Sequence, residues 1–129
     1  MNNTELNSTV EKIVSSALGI SASEHSSRSL SFLYQGATIE VISSEYIDEQ
    51  EPPYFDISRP ASENKRMSDV CVFALKNKSQ WDFYILRTSL VDTTFDSQSI
   101  VALSFIEHIG MHVKIDGIKK SVDLLIDNS

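Results

Sequence analysis

The fold of this chain depends on residues 36–44, which read GATIEVISS. The β-branched and apolar residues at positions 38–43 predict a buried β-strand, and Glu40 places one carboxylate in its middle. In the preceding residues 30–34, Leu30, Phe32 and Tyr34 alternate with Ser31 and Leu33, which predicts a second strand. Because only Gln35 and Gly36 separate the two runs, we expect them to form a β-hairpin.

Two later runs predict further strands of the same sheet. Residues 69–75 (DVCVFAL) and 81–86 (WDFYIL) are nearly continuous apolar segments, typical of strands that are covered on both faces. Alternation along the second run puts Trp81 and Phe83 on one face, in the core, and Asp82 and Tyr84 on the other. Cys71, in the first run, is expected to be a buried and unreactive thiol.

Both ends of the chain predict an amphipathic helix. Apolar residues recur at spacings of three and four over residues 3–19 and again from residue 118 onward. Together with the strands between them, the helices predict an α/β (α+β) fold. We therefore expect a single domain over residues 1–129, with a central mixed β-sheet flanked by helices.

The remaining segments predict irregular structure. Residues 21–29 are serine-rich and predict a loop, and residues 60–68 predict a polar, mobile segment. Residues 45–59 predict an acidic extended loop that ends in a short strand at positions 54–57. Residues 88–96 predict a short transition, and residues 100–106 fit either a short helix or an irregular strand.

Composition bears on the partners of the protein. The chain of 129 residues carries a net charge of −7 with only 11 lysines and arginines. Nucleic-acid binders neutralise phosphates with clustered basic residues, so this balance disfavours DNA and favours a protein partner or a homodimer. The single cysteine indicates a reducing compartment, and no apolar run is long enough to span a bilayer. We therefore expect a cytoplasmic protein that does not insert in a membrane.

Four segments in this order resemble the PD-(D/E)XK, or restriction-endonuclease-like, superfamily. They are the first helix with Glu11, the strand IEVISS at 39–44, the strand DVCVF at 69–73, and WDFYIL at 81–86. Small bacterial members carry strands of the form IEVKSS, DVYVF and WEFYVL, and the resemblance covers the chain from about Val10 to about Ile126. In that family an aspartate and a glutamate hold Mg²⁺, and a lysine two positions beyond the glutamate helps to activate the attacking water.

The resemblance breaks at the catalytic positions. Glu40 matches the glutamate of the motif, but Ile42 occupies the position of the lysine and Ser31 that of the aspartate. The resemblance therefore implies a catalytically inactive nuclease-like domain, without a cofactor, that acts as a binding or accessory protein in a bacterium.

The alternative is an active Mg²⁺-dependent DNA nuclease with a rearranged site. In that case Glu40 would bind the metal, Glu11 would assist, and Lys76 or Lys78 would replace the lysine of the motif.

Two histidines give a weaker signal for a metal. His108 and His112 are four residues apart, the spacing at which two imidazoles on one helix face can bind Zn²⁺. Gly110 stands between them and the glutamate of the metalloprotease motif is missing. We expect a solvated pair near a helix end.

Overall fold

The computed structural model describes residues 3–25, 29–47, 52–57, 68–95 and 99–127. A helix opens the chain and another closes it, and most strands lie between them, as predicted. The elements are α1 (Asn3–Leu18), β1 (Ala22–His25), β2 (Ser29–Tyr34), β3 (Ala37–Tyr46), β4 (Tyr54–Asp56), β5 (Val70–Asn77), β6 (Gln80–Arg87), α2 (Thr88–Thr94), β7 (Ile100–Ala102), α3 (Leu103–Ile109), β8 (Met111–Val113), a 3₁₀ turn (Ile115–Gly117) and α4 (Ile118–Asp127).

The main sheet has six strands in the order β1-β2-β3-β5-β6-β8. Only β3 and β5 run parallel, and the other neighbouring pairs are antiparallel. The predicted α/β fold with a mixed sheet and flanking helices is therefore confirmed. The hairpin β2–β3 turns at Gln35 and Gly36, whose φ angles of 51° and 79° match the twist of a two-residue hairpin loop.

The two faces of the sheet carry separate hydrophobic cores, because side chains alternate along each strand. The first core lies under α1 and α4, and Ile39, Val41 and Val72 are among its buried residues. The second core lies under α2, α3 and a small ribbon made of β4 and β7. Its buried residues are Ile42, Phe55, Ile57, Cys71, Phe73, Leu75, Tyr84, Leu86, Val91, Phe95, Val101, Leu103 and Ile106.

Three expectations for the connecting segments were wrong. The serine-rich residues 21–29 contain β1, which pairs with β2 through main-chain hydrogen bonds that require no apolar pattern. The expected loop at 45–59 begins later, because Glu45 and Tyr46 extend β3. The expected transition at 88–96 contains α2, which buries Thr88 and Val91 against the sheet.

Two other expected segments agree with the structure, and one lies almost entirely outside the described residues. The short strand in the 54–57 region is present as β4, and residues 100–106 form a strand followed by a helix, so both readings hold in part. The expected mobile segment at 60–68 falls outside the described residues except for Ser68. None of the helices in the described part is long and apolar enough to cross a membrane.

Gly110 allows the close packing between α3, β8 and β6. A Cβ atom at this position would lie 2.8 Å from the carbonyl oxygen of Ile106 and 3.0 Å from Cβ of Tyr84. The φ angle of Gly110 is −86°, so space rather than backbone conformation requires glycine here.

We expect Gly110→Ala to lower the free energy of unfolding by about 1–3 kcal/mol, because backbone or core atoms must shift to accept the methyl group. Urea denaturation followed by circular dichroism measures the change. Ser104→Ala, on the exposed side of α3, is the matched control and should stay within ~0.5 kcal/mol of the wild type. Equal stability of the Gly110 variant and the control would contradict the packing described.

Candidate functional site

The hairpin brings the three motif positions together on one face of the sheet. Ser31 and Glu40 are directly opposite in the antiparallel pairing of β2 and β3. Ile42 follows Glu40 by two residues and therefore points to the same side. The positions expected for the aspartate, glutamate and lysine are thus neighbours, as they would be in a nuclease motif.

Ile42 does not face an open cleft. Its side chain is 1% exposed and belongs to the second core together with Phe55 and Phe73. Phe55 lies on β4, in the ribbon that covers this part of the sheet, and its ring contacts that of Phe73 edge-on with centroids 5.1 Å apart. The position of the motif lysine is therefore filled by a well-packed apolar side chain.

Glu40 lies in a small network of neutral hydrogen-bond donors, which we call the Glu40 cluster: Glu40, Ser68, Cys71 and Thr88. Ser68 Oγ donates to Glu40 Oε1 at 3.2 Å, and the Cys71 thiol donates to the same oxygen at 3.7 Å. The Thr88 hydroxyl lies 3.0 Å from Ser68 Oγ and 3.4 Å from Cys71 Sγ.

The pairing of the central strands builds the Glu40 cluster. In the parallel pairing of β3 and β5, Glu40 is the partner of Cys71. The pairing of β5 and β6 sets Val70 beside Arg87, so the residues flanking these strands meet at the same end of the sheet. The backbone N–H of Thr88 donates to the carbonyl of Asp69 at 3.1 Å and fixes the start of α2 there. Cys71 is fully buried, as the sequence predicted.

Sequence reasoning missed Ser68 and Thr88 as neighbours of Glu40. A usable signal was present, because only residues 76–80 separate the predicted strands 69–75 and 81–86. A hairpin of two such strands brings the start of one beside the end of the next. Polar residues just outside these two ends are then expected to meet. The contact with Glu40 additionally requires the parallel pairing of β3 and β5, which the sequence does not specify.

The helpers of the rearranged site lie away from Glu40. Lys76 Nζ pairs with Glu45 Oε2 at 3.4 Å, and both side chains point to the first face, opposite Glu40. Glu11 is on α1, which packs against that same first face. Lys78 lies in the β5–β6 turn, seven positions beyond Cys71, or about 23 Å along an extended strand at ~3.3 Å per residue. The structure therefore does not assemble Glu40, Glu11 and a lysine into one site.

His108 and His112 are exposed and lie near a helix end, as expected, but they do not share one helix face because α3 ends between them. His108 is in α3 and His112 is in β8. His112 Nε2 lies 2.7 Å from Asp82 Oδ1, an oxygen that also accepts from Lys114 Nζ. The imidazole stacks on Tyr84 with ring centroids 4.8 Å apart. Within the described residues, no group of three or more His, Cys, Asp or Glu could hold a metal ion.

Electrostatics distinguish this second polar group, formed by Asp82, Tyr84, His112 and Lys114. Burial acts to raise the pKa of Asp82, but hydrogen bonds from Lys114 and His112 outweigh it and hold the pKa below its usual value of 3.8. Burial, with smaller effects of Glu107, Asp82 and Tyr46, raises the pKa of Tyr84 to about 12. Tyr84 therefore stays protonated at neutral pH, and Asp82 stays ionised in contact with Lys114 and His112.

The lowered pKa of Asp82 predicts a stability contribution with a defined pH window. It is present above about pH 4 and is lost as the pH falls through the lowered pKa, because the folded state then binds the proton less readily than the unfolded chain. We expect Asp82→Asn to lower the free energy of unfolding by about 1 kcal/mol at pH 7. The difference from wild type should shrink towards pH 3.

Urea titrations at pH 7 and pH 3 measure this dependence. Asp116→Asn, at an exposed position of the 3₁₀ turn, removes the same charge elsewhere and is the control. A difference between wild type and Asp82→Asn that stays constant between the two pH values would contradict the ion-pair assignment.

Comparisons with known proteins do not show a family for this chain. No protein-family model matches it, and no curated protein matches it. The crystal structure of MepB is similar in backbone over 66% of this chain and 77% of that chain, with 6% sequence identity and a TM-score of 0.48. A likeness at this level carries no inference about the function of the chain.

Proposed function

We propose that the chain is a restriction-endonuclease-like domain that has lost metal-dependent cleavage and acts by binding, as an accessory protein of a bacterium. The burial of Ile42 carries this proposal, because the lysine position next to Glu40 is 1% exposed and packed among apolar side chains. An aliphatic group there can neither orient water nor stabilise a developing negative charge.

The carboxylate count supports the same conclusion. Mg²⁺ binds through carboxylates, carbonyl oxygens and water in a near-octahedral arrangement. The three motif positions offer one carboxylate, from Glu40, and one neutral hydroxyl, from Ser31, opposite it. Ser68 and Cys71 both donate to Glu40 Oε1, and neither a hydroxyl nor a thiol adds a second carboxylate for Mg²⁺.

The charge of the chain indicates the kind of partner. A net charge of −7 disfavours association with the phosphate backbone of a nucleic acid. The domain is therefore proposed to bind a protein, or a second copy of itself, in preference to DNA. This partner would be met in the cytoplasm, where the single cysteine stays reduced.

A cleavage assay tests the proposed loss of activity. We expect no cleavage of supercoiled plasmid or single-stranded DNA in Mg²⁺ or Mn²⁺ above the background of the Glu40→Gln variant. Glu40→Gln keeps the size of the side chain and removes the charge, and Glu107→Gln, on the exposed side of α3, is the charge-matched control. Metal-dependent cleavage that is abolished by Glu40→Gln and retained by Glu107→Gln would overturn the proposal in favour of an active nuclease.

The buried position of Ile42 gives a second test. We expect Ile42→Lys to lower the free energy of unfolding by about 3 kcal/mol, because it removes core packing and brings an ammonium into an apolar site. Ile42→Met, which keeps the volume, should cost less than about 1.5 kcal/mol. Thermal and urea denaturation measure both. A lysine tolerated as well as methionine would mean that position 42 opens to water, as in an active site.

A further inference from the structure

Two cavities meet at the end of β6. One has a volume of about 580 Å³ and is lined chiefly by apolar side chains, among them Ile85, Leu86, Leu90, Ile109 and Met111. The other has a volume of about 410 Å³ and includes the polar residues Gln35, Ser68, Asp69 and Thr88. They share the lining residues Arg87, Ser89 and Leu125, and we call the two adjoining cavities the cleft, with an apolar half and a polar half.

The apolar half exists because β8 is shorter than β6. The pairing of the two strands ends at Ile85 and Met111, and β6 continues through Leu86 to Arg87. Ile109, Gly110 and Met111, where α3 passes into β8, form one wall beside the unpaired end of β6. On the other wall, Leu90 of α2 is 41% exposed. The volume of this half lies within the range of ligand sites, roughly 300–1,000 Å³.

Arg87 gives the cleft its chemical character, because this basic residue lines both halves. A guanidinium carries five N–H donors in a planar fork that matches a carboxylate in a bidentate contact. Arg87 also takes part in an interaction within the protein, so a ligand carboxylate would share the guanidinium with that partner. The acid of the polar half, Asp69, accepts the backbone N–H of Thr38 at 2.9 Å, which engages part of its charge.

We propose that this cleft binds an apolar group with a terminal carboxylate, either a free organic acid or the C-terminal residue of a peptide. The apolar half takes the hydrocarbon part, Arg87 binds the carboxylate, and the hydroxyls of Ser89 and Ser68 line the polar side. A nucleic acid fits this cleft poorly, since a single arginine beside an apolar slot does not form a track of phosphate contacts.

This inference rests on the binding role proposed above, but it does not depend on Ile42 or on the loss of cleavage. The two proposals can fail separately. Glu40-dependent DNA cleavage would overturn the proposed loss of activity and leave the cleft as a ligand site. A cleft that binds neither acid would leave the conclusion drawn from the burial of Ile42 unchanged.

The test is a titration of ¹⁵N-labelled protein with two acids and their neutral counterparts. The probes are octanoate against 1-octanol, and an acetylated peptide ending in Val-Leu with a free carboxylate against the same peptide as an amide. We expect saturable shifts of the backbone amides of Ser89, Leu90 and Gly110 with at least one acid and weaker binding of its neutral counterpart. Octanoate alone indicates a free acid as the natural ligand, and the peptide alone indicates a C-terminus.

Two variants separate the Arg87 contact from a general effect of charge. Arg87→Gln should weaken binding of the acid about tenfold or more, the loss expected for hydrogen bonds to a charged group. Lys120→Gln removes the same charge at an exposed position of α4 that does not line the cleft and should leave the affinity unchanged. The proposal is overturned if neither acid binds saturably, if neutral probes bind equally well, or if the two variants behave alike.

Discussion

The parallel pairing of β3 with β5 is the constraint on which the rest of the structure depends. It runs over eight paired positions, from Ile39 beside Val70 to Tyr46 beside Asn77. It joins the β2–β3 hairpin to the β5–β6 hairpin, which would otherwise be separate antiparallel units. Since each strand has a fixed alternation, this one register decides which side chains share each core. Glu40 meets Cys71 for the same reason.

The same constraint bears on the three positions of the proposed degenerate motif. The hairpin places Ser31, Glu40 and Ile42 next to one another on one face of the sheet. The β4–β7 ribbon places Phe55 over that face, and the apolar side chain at position 42 completes the packing. Position 42 is therefore part of the second core, with 1% of its side chain exposed.

The strands and terminal helices could be predicted because their patterns are local. The alternation over residues 30–34 and the β-branched run at 38–43 sufficed for the hairpin, and the two-residue turn fixed its register. The α1 and α4 helices followed from apolar spacing alone. In contrast, β1 has no hydrophobic pattern, and α2 is held by burial of Thr88 and Val91 against residues far away in sequence. The contacts of Glu40 with Ser68 and of Asp82 with His112 join segments 28 and 30 residues apart, so no local pattern could indicate them.

The turn at Gln35 and Gly36 has a consequence for how this protein can diverge. Insertion of one residue between β2 and β3 that left β2 in place would rotate every β3 side chain through the sheet, exchanging Glu40 and Ile42 with Ile39 and Val41. The carboxylate of Glu40 would then enter the first core, under α1 and α4. The side chains of β3 would no longer fit the core on either face of the sheet. Point substitutions can reshape either layer separately, but the length of this reverse turn is held fixed by both layers together.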